Sequence, residues 1–407
     1  ARETALEVAE LYGASVVLGS ATPSLEAYYR AGRGEYRLFQ LTKRLTGGEL
    51  PTVYTVDLRQ ELQEGNRSIF SRKLQELMTD RLNKGQQTIL FLNRRGYAGF
   101  VSCRSCGEVM KCPHCDVSLS EHKGGRLICH YCGYTQPMPK LCPKCGSKYI
   151  LGFKAGTQQI EEKLKELYPG VRTLRMDADT TRTKDSYEKI LSSFANGEAD
   201  VLIGTQMIVK GHDFPKVTLV GILAADLSLN ASDYRAGERT FQLLTQAVGR
   251  AGRGVLPGEA VIQTYQPDHY AITCAAAQDY ESFYQEEILY RELSGYPPVA
   301  HMLAVQIYGK EEENVKQLAL RLTDVVKSNM DFLSGKQKEQ SNKKIQVLGP
   351  APANISKIND IYRYVFYVKH AEYDVLVEVK DRLEETLRQW QSRQMSIQFD
   401  FDPVSVL

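Results

Sequence analysis

Short apolar runs alternating with amphipathic stretches fill most of this chain. Residues 201–203 and 217–223 are continuously apolar, the pattern of strands buried on both faces, and 53–56, 88–92, 171–174 and 260–264 read the same way. Between them the period changes to that of helices. Residues 70–82 place Leu74, Leu77, Met78 and Leu82 on one face, and 157–167 do the same with Ile160, Leu164 and Leu167. Further helices are predicted at 187–194, 268–293 and the stretch ending Gln246-x-x-Gly249-Arg250-x-x-Arg253. Strands alternating with helices predict a parallel sheet. At the start, a helix over 1–12 and a short strand at 16–18 run into Ser20-Ala21-Thr22-Pro23, with Ser24 capping a helix over 25–29. The last third reads differently. A strand at 302–308, a helix carrying Val315, Leu318, Leu320, Leu322, Val325 and Val326, strands at 345–348 and 362–368, a helix over 373–390 and a strand at 396–401 give the order β-α-β-β-α-β. That order predicts an α+β sandwich with both helices on one sheet face, its polar linker at 334–344.

Composition narrows the class without deciding it. The 407 residues are 43% hydrophobic and 25% charged, enough for several domains with cores. No apolar run reaches membrane-spanning length and no signal-peptide layout opens the chain, so a cytoplasmic protein without membrane contact is expected. A net charge of +2 gives no bulk argument for nucleic acid; any DNA contact must come from local patches.

The nine cysteines change the picture. Eight form four C-x-x-C pairs: Cys103/Cys106, Cys112/Cys115, Cys129/Cys132 and Cys142/Cys145. Paired thiols in this number fit two closed, structural Cys₄ zinc sites. His114, His122 and His130 are then bystanders, and Cys274 is a small buried hydrophobe. Residues 116–128 alternate polar and apolar around Gly124-Gly125, a hairpin that folds Cys112/Cys115 against Cys129/Cys132. The outer pairs are left to meet at the ends of the same unit, near Val101 and Leu151. Zinc one is therefore expected on Cys103, Cys106, Cys142 and Cys145, and zinc two on Cys112, Cys115, Cys129 and Cys132.

Arg250 and Arg253 are three apart, so on a helix they share a face, beside glycines that admit another surface. Read alone, they would merely complement a helix C-terminus. With Gly204-Thr205-Gln206 and Lys210-Gly211-His212-Asp213 upstream, and Ser20-Ala21-Thr22 before those, they resemble motifs VI, V and III of superfamily 2 helicases. Asn93-Arg94-Arg95-Gly96, at the end of a predicted strand, suits a phosphate contact or a solvated turn. Lys357 and Arg363, with Tyr362 and Tyr364 in a stretch connecting two strands, could hold a DNA strand, though Tyr364 reads more as packing.

Motor motifs interrupted by eight cysteines, then Tyr296-Pro297-Pro298 and Gly349-Pro350-Ala351-Pro352-Ala353, resemble the primosomal protein N′ (PriA) family of replication-restart helicases over essentially the whole chain. The resemblance implies an α/β fold: the end of a first RecA-like lobe (1–45), a second lobe (46–102 and 147–293), a two-zinc insertion (103–146) and a small α+β domain (294–407). It implies an ATP- and Mg²⁺-dependent 3′→5′ DNA helicase acting on forked and single-stranded DNA. Its implied partners are other primosome proteins, single-stranded DNA-binding protein and the replicative helicase loader. Arg250 and Arg253 would contact the γ-phosphate and Gln246 would orient water or phosphate. Gly211 and Asp213 would approach the nucleotide. Thr205, Gln206, Lys210 and Arg94 would lie near DNA, and Ser20 and Thr22 would couple the lobes. No G-x-x-x-x-G-K-[ST] phosphate loop occurs in the sequence, so the chain reads as a fragment cut between motifs II and III, inactive alone. The contrasting expectation is a zinc-ribbon binding module carrying an inert helicase-like lobe.

Overall fold

The computed structural model describes residues 2–41, 50–92, 101–115, 117–122, 125–151, 156–177, 180–181, 184–209, 214–231, 233–254, 256–328, 345–388 and 395–404. It divides into two units, 1–41 and 42–407. No helix among the described residues is long and apolar enough to cross a membrane.

The first unit holds α1 (Arg2–Leu11) and α2 (Leu25–Gly32), the latter capped by Ser24, whose hydroxyl accepts from Ala27 N–H at 3.3 Å. The strand expected at 16–18 is not formed. Val17 is 92% exposed, and a strand exists only through its neighbours, which this segment lacks among the described residues.

The second unit is built on a six-stranded parallel sheet. Its chain order runs β1 (Thr52–Asp57), α3 (Leu58–Gln63), α4 (Arg72–Asn83) and β2 (Gln87–Leu92), then the cysteine-rich segment with β3 (Ser102–Cys103), β4 (Ser120–His122), β5 (Arg126–Ile128), β6 (Thr135–Pro137) and β7 (Ile150–Leu151). It resumes with α5 (Thr157–Leu167), β8 (Thr173–Met176), α6 (Lys184–Ala195), β9 (Val201–Gly204), β10 (Val217–Leu223), α7 (Asp226–Leu229), α8 (Ala236–Val248), β11 (Glu259–Thr264), α9 (Tyr270–Ala277) and α10 (Tyr280–Ser294). The strand order is β1-β11-β10-β2-β9-β8, with every pairing parallel. Every residue of β2, β9 and β10 is buried, as continuous apolar runs require when helices cover both faces. Leu74, Leu77 and Met78 of α4 and Ile160 and Leu164 of α5 pack on one face with Leu90, Leu92, Val201 and Ile203. Leu167, expected in that stripe, is 44% exposed at the last residue of α5. The single helix expected over 268–293 is two, broken at Gln278, which adopts φ 54°, and restarted by an Asp279 cap.

The last third carries β12 (His301–Gly309), α11 (Glu312–Ser328), β13 (Gln346–Ile358), β14 (Ile361–His370), α12 (Tyr373–Arg388) and β15 (Met395–Phe401) in an antiparallel sheet of order β13-β14-β12-β15. The stretch 349–363, read from sequence as a connection, is instead most of a long β-ribbon. Asn359 and Asp360, at φ 48° and 60°, turn β13 directly into β14.

Candidate metal centres and the turn after α8

Four C-x-x-C knuckles place eight sulfurs in two groups. Cys103, Cys106, Cys142 and Cys145 lie together, as do Cys112, Cys115, Cys129 and Cys132, with the ligand atoms of each group within 4.8 Å of one another. The hairpin β4–β5, with Ser120 opposite Ile128 and His122 opposite Arg126, folds the inner knuckles together. Pairing of β3 with β7 joins the ends of the segment and closes the outer group. The grouping is nested, not consecutive. Sulfur separations are 3.6 Å for Cys103–Cys145 and Cys106–Cys142, and 3.5 Å for Cys112–Cys132. These are far beyond the roughly 2.05 Å of a disulfide. A tetrahedral zinc at about 2.3 Å from each sulfur sets sulfurs about 3.8 Å apart, so the donor sets fit that ion.

Crowded thiols share negative charge unevenly. Burial pushes Cys106 up to about 12, helped by the neighbouring sulfurs. Burial also acts to raise Cys103, but the N–H groups of Cys106 and Ser105 outweigh it and bring that thiol down to about 7. In the inner group, contacts from Cys115 and Cys129 lower Cys132 to about 2 while Cys115 is driven far up. A divalent cation relieves such a concentration of charge. The histidines stand outside both groups. His130 faces the Pro352 carbonyl through Nδ1 at 3.1 Å, so Nδ1 carries the proton, and its Nε2 accepts from His122 Nε2 at 3.0 Å.

The cysteine-rich segment is fastened at two ends. On the outer side, a Cβ on Gly107 would fall 2.4 Å from the Tyr265 carbonyl, just past β11, and Arg59 donates to the Cys106 carbonyl at 3.5 Å. On the inner side, a Cβ on Gly133 would lie 3.5 Å from the Pro350 carbonyl, so the knuckle seats directly on β13. Tyr131 stacks on Tyr367 of β14 at 5.0 Å, and its hydroxyl accepts from Tyr234 N–H at 3.2 Å. Tyr234 stacks in turn on Tyr296 at 4.7 Å and donates its hydroxyl to the Pro403 carbonyl at 3.2 Å.

That tyrosine junction anchors the N-terminal end of α8. Gln246 lies in its last turn, but the helix stops at Val248, with Gly249 as its cap. Arg250 and Arg253 therefore do not share a helix face, which corrects the sequence expectation. The cause is glycine. Gly252 adopts φ 69° and a Cβ there would sit 2.5 Å from Gly258 N, while a Cβ on Gly254 would sit 2.5 Å from the Pro215 carbonyl. The surface these glycines admit is the chain's own. Arg253 Nε donates to the Gly249 carbonyl at 2.8 Å, a bond to the helix end.

Comparison with known proteins supplies the family. Residues 292–404 match the model described as the primosomal protein N C-terminal domain, and 112–137 match the PriA DNA helicase Cys-rich region domain. Residues 141–255 match the helicase conserved C-terminal domain. The replication restart protein PriA of Bacillus subtilis is 44% identical over 409 residues, covering 100% of this chain and 49% of that protein. Those of Synechocystis and Haemophilus influenzae are 41% and 35% identical, covering 100% and 99% of this chain and 48% and 53% of theirs. The chain belongs to the PriA family. It spans about half the length of the curated relatives it matches.

Within this PriA-family chain the region matched by the Cys-rich model encloses the whole inner sulfur group, leaving the outer pairs on either side. Thr205 and Gln206 follow β9 at the carboxyl end of the parallel sheet, where Thr205 N–H donates to the Met176 carbonyl at 3.3 Å. Thr22 N–H donates to Ser20 Oγ at 3.1 Å inside the first unit. Arg94, Lys210, Gly211 and Asp213 lie outside the described residues, as do the linker at 334–344 and Gly124 of the hairpin turn. On the β-ribbon, Lys357 pairs with Asp360 at 2.8 Å, and Arg363 lies over the Tyr308 ring at 5.6 Å. Tyr364 is buried against α11, so it is packing. Sequence reasoning missed Tyr131, Tyr234 and Tyr367. It also missed the buried network in which Arg291 contacts Glu287 at 2.7 Å and Glu238 at 3.2 Å. Its one local signal is the i, i+4 spacing of Glu287 and Arg291 on α10.

Proposed function

We propose that this chain supplies the second motor lobe, two structural zincs and the C-terminal domain of an ATP-dependent 3′→5′ DNA helicase that binds stalled forks and initiates primosome assembly. The observation that supports it most is the joint occurrence, in a chain of this family, of a six-stranded parallel sheet, a helix α8 that ends in the Gln246–Arg253 turn, and two closed thiol groups. Eight cysteines would hold two zinc ions, and sites with no open position supply rigidity, not reaction chemistry. Arg250, Arg253 and Gln246 would act at the γ-phosphate, with Gly211 and Asp213 beside the nucleotide. Thr205, Gln206, Lys210 and Arg94, at or after strand ends of the parallel sheet, would track the DNA backbone, with Lys357 and Arg363 as a second contact. Forked and single-stranded DNA, other primosome proteins, single-stranded DNA-binding protein and the helicase loader complete the reading.

The test is hydrolysis by the complete protein with and without forked DNA. Arg250→Ala should lower turnover on the order of 10³-fold, with nucleotide binding much less affected. Arg253→Ala separates two roles: a comparable loss places it at the phosphate, whereas near-normal turnover assigns it to the helix end, where its Nε donates to the Gly249 carbonyl. The chain by itself, lacking a phosphate loop in its sequence, should show no DNA-stimulated hydrolysis. A complete protein with no such turnover would favour a binding module with an inert lobe.

A further inference from the structure

The two sulfur groups differ in what surrounds them. In the outer group Cys145 is exposed and Cys106 half-buried. Pro143, Lys144 and Gly146 around Cys145 are exposed, and apart from its chain neighbours no described atom lies within 4 Å of where a Cβ on Gly146 would sit. In the inner group Cys112, Cys115 and Cys129 are buried and only Cys132 is half-buried. Gly349 and Pro350 of β13 lie against that knuckle, and Tyr131, Tyr296 and Tyr367 pack around it in one core.

We propose that Cys145 is an oxidation site through which hydroperoxides release zinc from the outer group, while the inner group keeps its metal. This rests on the reading that both groups bind zinc. The Cys145 thiolate attacks the peroxide O–O bond, forming a sulfenic acid and expelling hydroxide. The Cys103 thiolate, 3.6 Å away, then attacks the sulfenyl sulfur, forming a disulfide and expelling a second hydroxide. Two electrons have passed from the two sulfurs to the peroxide, and only Cys106 and Cys142 would remain as thiolates to hold a zinc there. The inner group offers a peroxide only the half-buried Cys132. Because the outer group holds the ends of the segment and lies beside the Gly107–Tyr265 contact, its loss loosens the segment from the motor lobe. The grip on the C-terminal sheet, made around the inner group, remains.

The experiment begins with the zinc content of the full purified chain. Hydrogen peroxide is then added with a chromogenic zinc chelator, and oxidised peptides are mapped by mass spectrometry. From a chain holding two zincs, one equivalent should leave at least ~10-fold faster than the other, with a Cys103–Cys145 disulfide in the fast phase. Cys145→His, which keeps a zinc ligand without an oxidisable thiol, should retain both metals and lose the fast phase. Equal release of both zincs, or first oxidation at Cys132 or Cys112, would overturn the proposal. Persistence of the fast phase in Cys145→His would overturn it as well. Fewer than two zincs in the purified chain would instead overturn the zinc reading on which it stands.

Discussion

The two largest sheets of the larger unit reach burial by different routes. The parallel sheet is covered from its own sequence neighbourhood, since α4, α5 and α8 adjoin the strands they pack on. The antiparallel sheet covers one face with α11 and α12, over Leu303, Val305, Ile307, Phe366 and Val368. Its other face, carrying Met302, Ala304, Val365 and Tyr367, is covered by the cysteine-rich segment from far earlier in the chain. An antiparallel sheet of this kind commonly leaves such a face to water. Here it is dry because a metal-sized pair of thiol groups shapes the segment that caps it. The first sheet is thus covered mainly by adjoining helices, and the second depends on the cysteine-rich segment for one of its faces.

The strongest way to break this contrast is to unmake the inner group. If the inner group holds zinc as proposed, Cys129→Ser should remove that ion and with it on the order of 10 kcal/mol of stabilisation. Hydrogen exchange should then rise in the cysteine-rich segment and in β12 and β14, with β2, β9 and β10 still protected. Equal loss in both sheets would show a single cooperative unit. Next comes Tyr131→Ala, which deletes a fully buried ring between Tyr367 and Tyr234. By analogy with other buried aromatics it should cost about 3–5 kcal/mol in chemical denaturation. An effect well under 1 kcal/mol would mean that the segment merely rests on the sheet.

The parallel sheet carries its own conditional element in Asp226, whose carboxyl burial pushes up to about 6 from 3.8. It accepts from Thr264 Oγ at 2.9 Å and Tyr265 N–H at 2.9 Å. A carboxyl raised on folding binds more protons folded than unfolded, so its contribution falls as pH rises from about 4 to 6. Asp226→Asn should remove that loss, gaining on the order of 1–3 kcal/mol over wild type at pH 7.5 relative to pH 5. A pH-independent difference between the two proteins would sink the assignment. The smallest expected effect is that of Tyr131→Phe. Losing the acceptor for Tyr234 N–H alone should cost about 1 kcal/mol, read in the same denaturation. A cost matching that of Tyr131→Ala would mean that the hydroxyl, not the ring, joins the parts.

Periodic signals were readable without coordinates because they are local. The all-buried β2 and β10, the Leu74–Leu77–Met78 stripe of α4 and the Ser24 cap follow from residue type and spacing within one element. The nested sulfur grouping was legible for a similar reason, since a hairpin between the inner knuckles leaves the outer pairs little choice. Where spacing misled, contacts from outside the element decided. The Gln246–Arg253 segment continues a helical pattern, yet Gly258 and Pro215 press against Gly252 and Gly254 and hold it in turns. The strand-like Val16–Val17–Leu18 stays exposed, with no pairing strand among the described residues.

By itself, then, the sequence determined the strand and helix order of both sheets and which thiols could share a metal, because backbone hydrogen bonding, apolar period and knuckle spacing act over a few residues. Only the tertiary structure decided that Tyr131 lies on Tyr367, that Gly-Pro-Ala-Pro-Ala seats the inner knuckle, and that α8 is anchored between them at Tyr234. Those contacts join surfaces whose residues carry no local mark of one another. A tyrosine buried against its own helix and one buried against a foreign sheet are the same letter until the chain has folded.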